Sequence, residues 1–538
     1  MPTETEVLIV GAGPTGLLLA AELQRRGVAC RLIDANPEPL HWDRATVVHP
    51  RSLEIFESLG IVEPLLAAGV KQRRALIHSA GSVLGDIDLA ICGSRYGFNI
   101  GISEEVTETI LTGYLEQLGG HVQRASRLIN LEQHADGVLA TVDHNGATEQ
   151  ITAKWAVGCD GVRSVTRQLS GIELTGHDQP DPWAVFDTTI AGWPHSYEAN
   201  YAYLDQPPVI LTALAGRRWR VYLRPTSEQS DLETDAAATL QQYLPQISFT
   251  DVSHPTRFHC HTKVASHYRS GRVFLAGDSA HVCSPSQGHG MNSGLQDAFN
   301  LAWKLALVCQ GRAAESILDS YEAERRPVAE MITASGYAFE QAQSITDPAE
   351  RRARDEELRN IFSNPTTRHH ESIAEAELDI EYCASPIVMG DRHDALAPGH
   401  RLPDTIKIRH GNGAAALLHE LAHRPGHTAI VIAASPTAAE RAVQLAATIE
   451  SNGGSLLVES TATFIASDTD LHSHAQLTAA AASQLGVNDL TLLLIRPDGH
   501  VGLRANRDHL EALRAYIELL GSGRDSPAPA RRDRPRRR

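Results

Sequence analysis

The chain opens with the apolar run Val7-Leu8-Ile9-Val10, followed by a glycine-rich turn, helical spacing over 17–26 and a second apolar run over 28–33. That succession predicts a βαβ unit. Helical spacing returns at 107–117, and the apolar segments 137–142 and 150–157 predict a hairpin that leads into a further strand. Between about Thr188 and Phe258 the pattern turns to alternation, as in Val209-Ile210-Leu211-Thr212-Ala213 and Trp219-Arg220-Val221-Tyr222-Leu223, and predicts a second, β-rich domain. Residues 272–276 predict one more buried strand and 290–308 a long helix, after which charged helical sequence continues to about Glu381. Beyond about Gly399 the strands 429–433 and 490–496, a Pro497-Asp498-Gly499 turn and a helix over 508–520 predict a separate α/β unit.

Length fits this reading, since 538 residues at about 150 per domain suggest three or four units. A hydrophobic content of 42% with 21% charged residues is that of an ordinary soluble globular chain. The net charge of −17, from 48 Lys and Arg against 65 Asp and Glu, argues against nucleic acid or an anionic membrane as a partner. Seven cysteines, odd in number and never spaced C-x-x-C, point to reduced thiols and a cytoplasmic setting. No basic leader and no apolar stretch near 18 residues is seen, so no membrane association is expected. The segment 524–538 holds seven Arg and two Asp, a local +5 that leaves the rest at −22, and is read as a disordered end.

Gly11-x-Gly13-x-x-Gly16 follows the first strand, opens the first helix and is succeeded by Asp34, 18 residues beyond Gly16. Gly11 permits the tight turn, Gly13 the approach of a pyrophosphate and Gly16 close helix packing; the helix start supplies N–H donors and Asp34 a ribose acceptor. This predicts dinucleotide binding without separating NAD from FAD. Two later segments, Cys159-Asp160-Gly161-Val162-Arg163-Ser164 and Ala276-Gly277-Asp278-Ser279, each place an acid just after an apolar strand. Taken singly, such acids are as often helix caps.

The three motifs in this order resemble the signature of the group A flavoprotein hydroxylases, and the likeness covers most of residues 5–335. The resemblance implies an α/β fold with a Rossmann-like FAD-binding domain of the para-hydroxybenzoate hydroxylase type. It implies FAD as cofactor and NADPH or NADH as co-substrate, with Asp278 on the flavin's ribityl or ribose hydroxyls and Asp160 and Arg163 serving NAD(P)H as well. The segment Arg44-Ala45-Thr46 and the helix after it resemble the family's flavin-contacting arginine. Pro285-Ser286-Gln287-Gly288-His289-Gly290-Met291-Asn292 resembles the loop and helix start that face the isoalloxazine. The cofactor set so implied is Gly11, Gly13, Pro14, Thr15, Gly16, Asp34, Arg44, Glu104, Asp160, Asp278, Pro285, Gly288, Gly290, Met291 and Asn292. Glu104 stands where the family carries a glutamine, and Ser284-Pro285-Ser286-Gln287-Gly288 where it often has Pro-Pro-x-Gly-Gly. The segments 296–305 and 320–327 also match closely.

For such an enzyme the resemblance implies hydroxylation of a phenolic aromatic small molecule with O₂ through a flavin C4a-hydroperoxide. A large polycyclic substrate such as an aromatic polyketide is the alternative, and a flavin-binding redox sensor or structural protein the non-enzyme one. The candidate catalytic groups are the Pro285 carbonyl, His289 as a proton relay, and Tyr222. Alternation sets Trp219 and Val221 on one strand face and Arg220 and Tyr222 on the other, leaving open which face lines the pocket. No H-E-x-x-H or paired Cys/His spacing occurs, so no metal is expected; no W-x-W-x-I-P segment marks a halogenase.

The expected organisation is an FAD-binding domain in three pieces, 1–75, 99–178 and 269–340, and a substrate-binding sheet domain at 76–98 and 179–268. A helical connection (341–394), a domain at 395–521 and the tail at 522–538 complete it. The region 395–521 resembles the thioredoxin-like domain of phenol and polyketide hydroxylases, yet no cysteine follows Cys383, so dithiol exchange is impossible there. A structural role is expected for it, with a homodimer as the assembly it would serve.

Overall fold

The computed structural model describes residues 3–40, 45–179, 182–393, 395–452, 457–467 and 475–521. The expected βαβ unit is present. Strand Thr3–Val10 leads through the glycine turn into helix Pro14–Arg25 and on to strand Cys30–Ile33, which pairs parallel to the first. On its other edge Thr3–Val10 takes Ala147–Gly158 in parallel register, followed by Val273–Leu275. The expected hairpin, Val138–His144 against Ala147–Gly158, extends this sheet antiparallel. Its central strands read apolar throughout because both faces are covered. Leu17, Leu18, Leu19 and Leu23 are fully buried, and their helix lies against helices Glu104–Gln117 and His289–Cys309.

The alternating region forms a seven-stranded sheet in the order Ser248–Phe258, Trp183–Ala191, Arg218–Leu223, Val209–Leu214, Ala199–Tyr203, Arg74–Ser79 and Ser82–Asp88. One face, carrying Trp219, Val221, Leu211 and Phe186, packs on helix Leu232–Leu240 through Leu232, Ala236 and Leu240. The other face turns toward the first domain, where the Tyr222 hydroxyl lies 3.1 Å from Thr46 Oγ1. Tertiary packing thereby decides what alternation left open.

Helices Asp319–Ser344, Pro348–Ser363 and Pro365–Glu375 follow the long helix. In the C-terminal region strand His427–Ala433 runs parallel to Val458–Ala466 across helix Ala439–Ser451. It pairs antiparallel with Leu490–Ile495, which hairpins into Val501–Ala505 before helix His509–Gly521. One apolar cluster runs from Val7 and Leu17 through Trp303 to Val431, Leu492 and Tyr516, so the first and last sheets share a continuous core. The Arg-rich tail lies outside the described residues. Among the described residues no helix is long and apolar enough to cross a membrane.

Candidate active site

The loops that the three motifs occupy converge at the carboxyl ends of the parallel strands, where open α/β sheets bind ligands. Gly11 has φ +103°, and a Cβ there would meet the Cys159 carbonyl oxygen at 2.3 Å, so only glycine lets the first two loops touch. The Thr15 side chain fills the space beside Gly277, where a Cβ would fall 2.6 Å from Thr15 Oγ1. A Cβ on Gly13 would meet only Glu108 Oε1, at an ordinary contact distance of 3.7 Å. The helix begun by Pro14 has neither a side-chain cap nor an acid in its first turn, so its leading N–H groups lack protein acceptors of the usual kind. Gly16 packs against the Gly11 carbonyl within that turn.

Asp34 is buried at the end of its strand; Oδ2 accepts from the Ala12 N–H at 2.8 Å and Oδ1 from the Asn36 N–H at 2.8 Å. Asp160 is bound more heavily. Its carboxylate accepts from Ser164 Oγ (2.5 Å), the Thr166 N–H (3.0 Å), Thr166 Oγ1 (3.1 Å) and Ser279 Oγ (3.1 Å). Four donors fill a carboxylate's lone-pair sites, so Asp160 clamps the second loop to the third, while Ser164 caps helix Val165–Leu169. Arg163 stands exposed on the same turn.

Asp278 differs from both. It is half-buried, and its carboxylate has no hydrogen-bond partner among the described residues. Its loop is held from behind: Asp297 Oδ2 accepts from the Gly277 N–H (3.0 Å) and His281 Nε2 (2.8 Å), and Oδ1 takes Arg325 Nε at 2.7 Å. Burial pushes the Asp297 carboxyl upward, but His281 and Arg325 outweigh it and hold it below the usual range. Asp297 and Arg325 belong to the segments 296–305 and 320–327 that resemble the family, which is why those segments carry charges in a buried place.

Pro285–Gln287 forms a 3₁₀ turn, and the Pro285 carbonyl accepts the Gly288 N–H at 3.1 Å with one lone pair remaining. Gly288, at φ +73°, opens helix His289–Cys309. Asn292 ties this helix start to the strand before His49, donating to the Val47 (2.9 Å) and Gly288 (2.8 Å) carbonyls and accepting the His49 N–H (3.0 Å). Gly290 and Met291 lie on the same first turn. Glu104 opens helix Glu104–Gln117 and binds Ala45 at both ends, its N–H to the Ala45 carbonyl and its Oε2 to the Ala45 N–H. Arg44 lies outside the described residues.

Two functional neighbours escape a reading of the sequence. Glu340, from helix Asp319–Ser344, is fully buried and accepts from Trp183 Nε1 (3.1 Å), Ser284 Oγ and Arg224, joining the β-rich sheet to the residue before Pro285. Glu377 is buried beside His289, whose Nδ1 lies 2.8 Å from its Oε1. Glu340 lies in a helix and Glu377 in the turn after one, and neither segment carries a motif.

The residues fit a bound FAD. A glycine turn, an uncapped helix start and an Asp278 carboxylate without a hydrogen-bond partner among the described residues are the kinds of group that could take a pyrophosphate and a sugar hydroxyl.

Comparison with known proteins agrees. The FAD binding domain family matches residues 4–335. The chain is 30% identical over 557 aligned positions to 6-methylpretetramide 4-monooxygenase of Streptomyces rimosus, covering 99% of this chain and 97% of that one. It is 35% identical to pentachlorophenol 4-monooxygenase of Sphingobium chlorophenolicum over 349 positions, 62% of this chain and 64% of that one. Among solved structures it resembles the anhydrotetracycline hydroxylase OxyS from Streptomyces rimosus, with a TM-score of 0.75 and 28% identity over 96% of this chain and 99% of that one.

Proposed function

Because the chain belongs to the FAD binding domain family and is an FAD-dependent aromatic hydroxylase that takes NAD(P)H as co-substrate, we propose that its substrate is a polycyclic phenol of the aromatic polyketide type. The observation that carries this is the end-to-end likeness to the pretetramide oxygenase, 99% of this chain and 97% of that one, against a likeness to the pentachlorophenol enzyme that covers 62% of this chain.

When bound, FAD supplies the redox and oxygen chemistry, drawing on NAD(P)H and O₂. In this reading the Gly13 backbone and the helix start beyond it hold the pyrophosphate, Asp34 and Asp278 accept from sugar hydroxyls, and Asp160 keeps two of these loops in register. The helix start at Gly288–Asn292 would hold the isoalloxazine, and its N–H groups would favour negative charge there. The substrate lies between that turn and the Tyr222 face of the seven-stranded sheet. The free lone pair of the Pro285 carbonyl and the Tyr222 hydroxyl are the groups placed to orient a phenol, and Glu340 holds sheet and turn together. The C-terminal region is thioredoxin-like in strand order and without thiols, and serves structure and dimerisation. Seven unpaired cysteines fit a cytoplasmic setting.

The test is the FAD-loaded full chain in air with NADH or NADPH and two panels, single-ring phenols and linear four-ring phenols, scored for products heavier by one oxygen. We expect kcat/KM for the best four-ring phenol to exceed that for phenol at least tenfold. Turnover of single-ring phenols alone would overturn the polycyclic assignment.

A further inference from the structure

Glu377 lies two residues past helix Pro365–Glu375, in a connection that carries no motif, and adopts φ +57°, a region that residues with a Cβ seldom occupy. Its carboxylate is 2% exposed and reaches two side chains seven residues apart on one face of helix His289–Cys309. These are His289, through Nδ1 at 2.8 Å, and Gln296, through Nε2 at 2.5 Å. A buried carboxylate needs a counter-charge; Gln296 is neutral, and of the two imidazoles grouped with Glu377, His49 and His289, it is His289 that hydrogen-bonds it and is placed to supply one.

The surroundings favour that charge. Glu375, at the end of that helix, and Asp379, in the connection, supply further negative charge near His289, whereas the His49 imidazole, with ring centroids 5.0 Å away, supplies none. Cys283 Sγ, 3.5 Å from where a Cβ on Gly290 would stand, packs on the same turn. Burial works against protonation of His289, as does the positive end of its own helix, yet the hydrogen bond and the three carboxylates more than offset burial and hold it above its ordinary value.

We propose that Glu377 is a positioning residue of the flavin site: by accepting the Nδ1 proton of His289 it keeps that imidazole cationic at the helix start, where negative charge gathers when the cofactor is reduced. This rests on the placement of the isoalloxazine in the proposed function. The connection would then be part of the active centre, joined to it through one side chain.

The experiment compares the FAD-loaded wild type, Glu377→Gln and His289→Gln by the midpoint potential of bound FAD against pH and by the pH profile of hydroxylation. Glu377→Gln should make the potential at pH 7 more negative and move the alkaline fall in rate to lower pH by about one unit or more. His289→Gln should abolish the break. A Glu377→Gln protein with the wild-type potential and the wild-type break would overturn the proposal, as would a break that survives His289→Gln. The imidazole ¹⁵N signals of wild-type His289, identified by their loss in His289→Gln, test it without the Glu377 variant. Protonation of both ring nitrogens at neutral pH supports it; a neutral ring, with one nitrogen bare, overturns it. A wild type that binds FAD but oxygenates no aromatic would sink the proposed function while leaving the potential comparison intact.

Discussion

Two clusters of buried charge sit at opposite ends of helix His289–Cys309, and they are built on opposite terms. Toward its far end, where the C-terminal region docks, every charge is answered. Arg496 bonds Glu324 through both terminal nitrogens (2.7 and 2.8 Å) and Asp498 through Nε (3.1 Å) and Nη2 (2.5 Å). Lys304 binds Glu324 at 2.8 Å, and Trp303 Nε1 reaches Asp498 at 3.1 Å. Toward its near end the Asp278 carboxylate has no partner among the described residues, His49 Nε2 is buried without one, and the helix begun by Pro14 has no side-chain cap. Saturation marks a joint between parts of the fold, because an unpaired charge there would only cost stability. Incompleteness marks a binding site, because a ligand supplies the missing partner.

The comparison is most severely tested by Arg496→Met. It leaves Glu324 and Asp498 buried without their shared cation and should cost about 3–5 kcal/mol, read as a fall in the midpoint of chemical or thermal unfolding. A change below about 1 kcal/mol would mean the joint is not what holds the C-terminal region. Asp278→Ala should do the reverse. FAD affinity should drop about 10- to 100-fold, the loss of one to two charge-assisted hydrogen bonds, while the apoprotein unfolds where the wild type does. Full FAD retention would remove Asp278 from the site.

Acid supplies a smaller, graded test of the joint. Burial raises the Glu324 carboxyl, but Arg496 and Lys304 outweigh it and bring it to about 2 from 4.5. As pH falls below about 4.5 the unfolded chain takes up the proton first, so the contribution of Glu324 to stability is lost progressively between about pH 4.5 and 2. Glu324→Gln should flatten that part of the stability–pH curve; an unchanged slope would assign the acid sensitivity elsewhere. The smallest effect belongs to Tyr222→Phe, which removes the hydroxyl facing Thr46. About 1 kcal/mol is expected, seen in KM or kcat for the phenol with unfolding little changed. Trp219→Phe on the opposite face should instead lower stability and leave KM alone.

The nucleotide cleft was largely legible along the chain because its parts are local: a strand, a glycine turn and a helix start are contiguous from Val7 to Leu23, and glycines at steric contacts leave a signature that spacing preserves. The segments 296–305 and 320–327 were noticed for their likeness, but their work was not readable. Asp297 acts on Gly277, twenty residues earlier, and Arg325 acts on Asp297 in turn. Glu340 and Glu377 were invisible for the same reason. Each lies in ordinary charged sequence and acquires meaning only from a partner 50 to 160 residues away.

By itself the sequence determined the element types, the presence of a dinucleotide cleft and the acids that follow its strands, since periodicity and glycine spacing are properties of short stretches. Only the tertiary structure decided which face of Arg218–Leu223 meets the first domain, that Asp160 is a clamp while Asp278 stands unpaired, and that a connecting segment delivers Glu377 to His289. Those outcomes depend on which donors and acceptors burial brings together, and no local pattern records the distance between residues the chain itself keeps far apart.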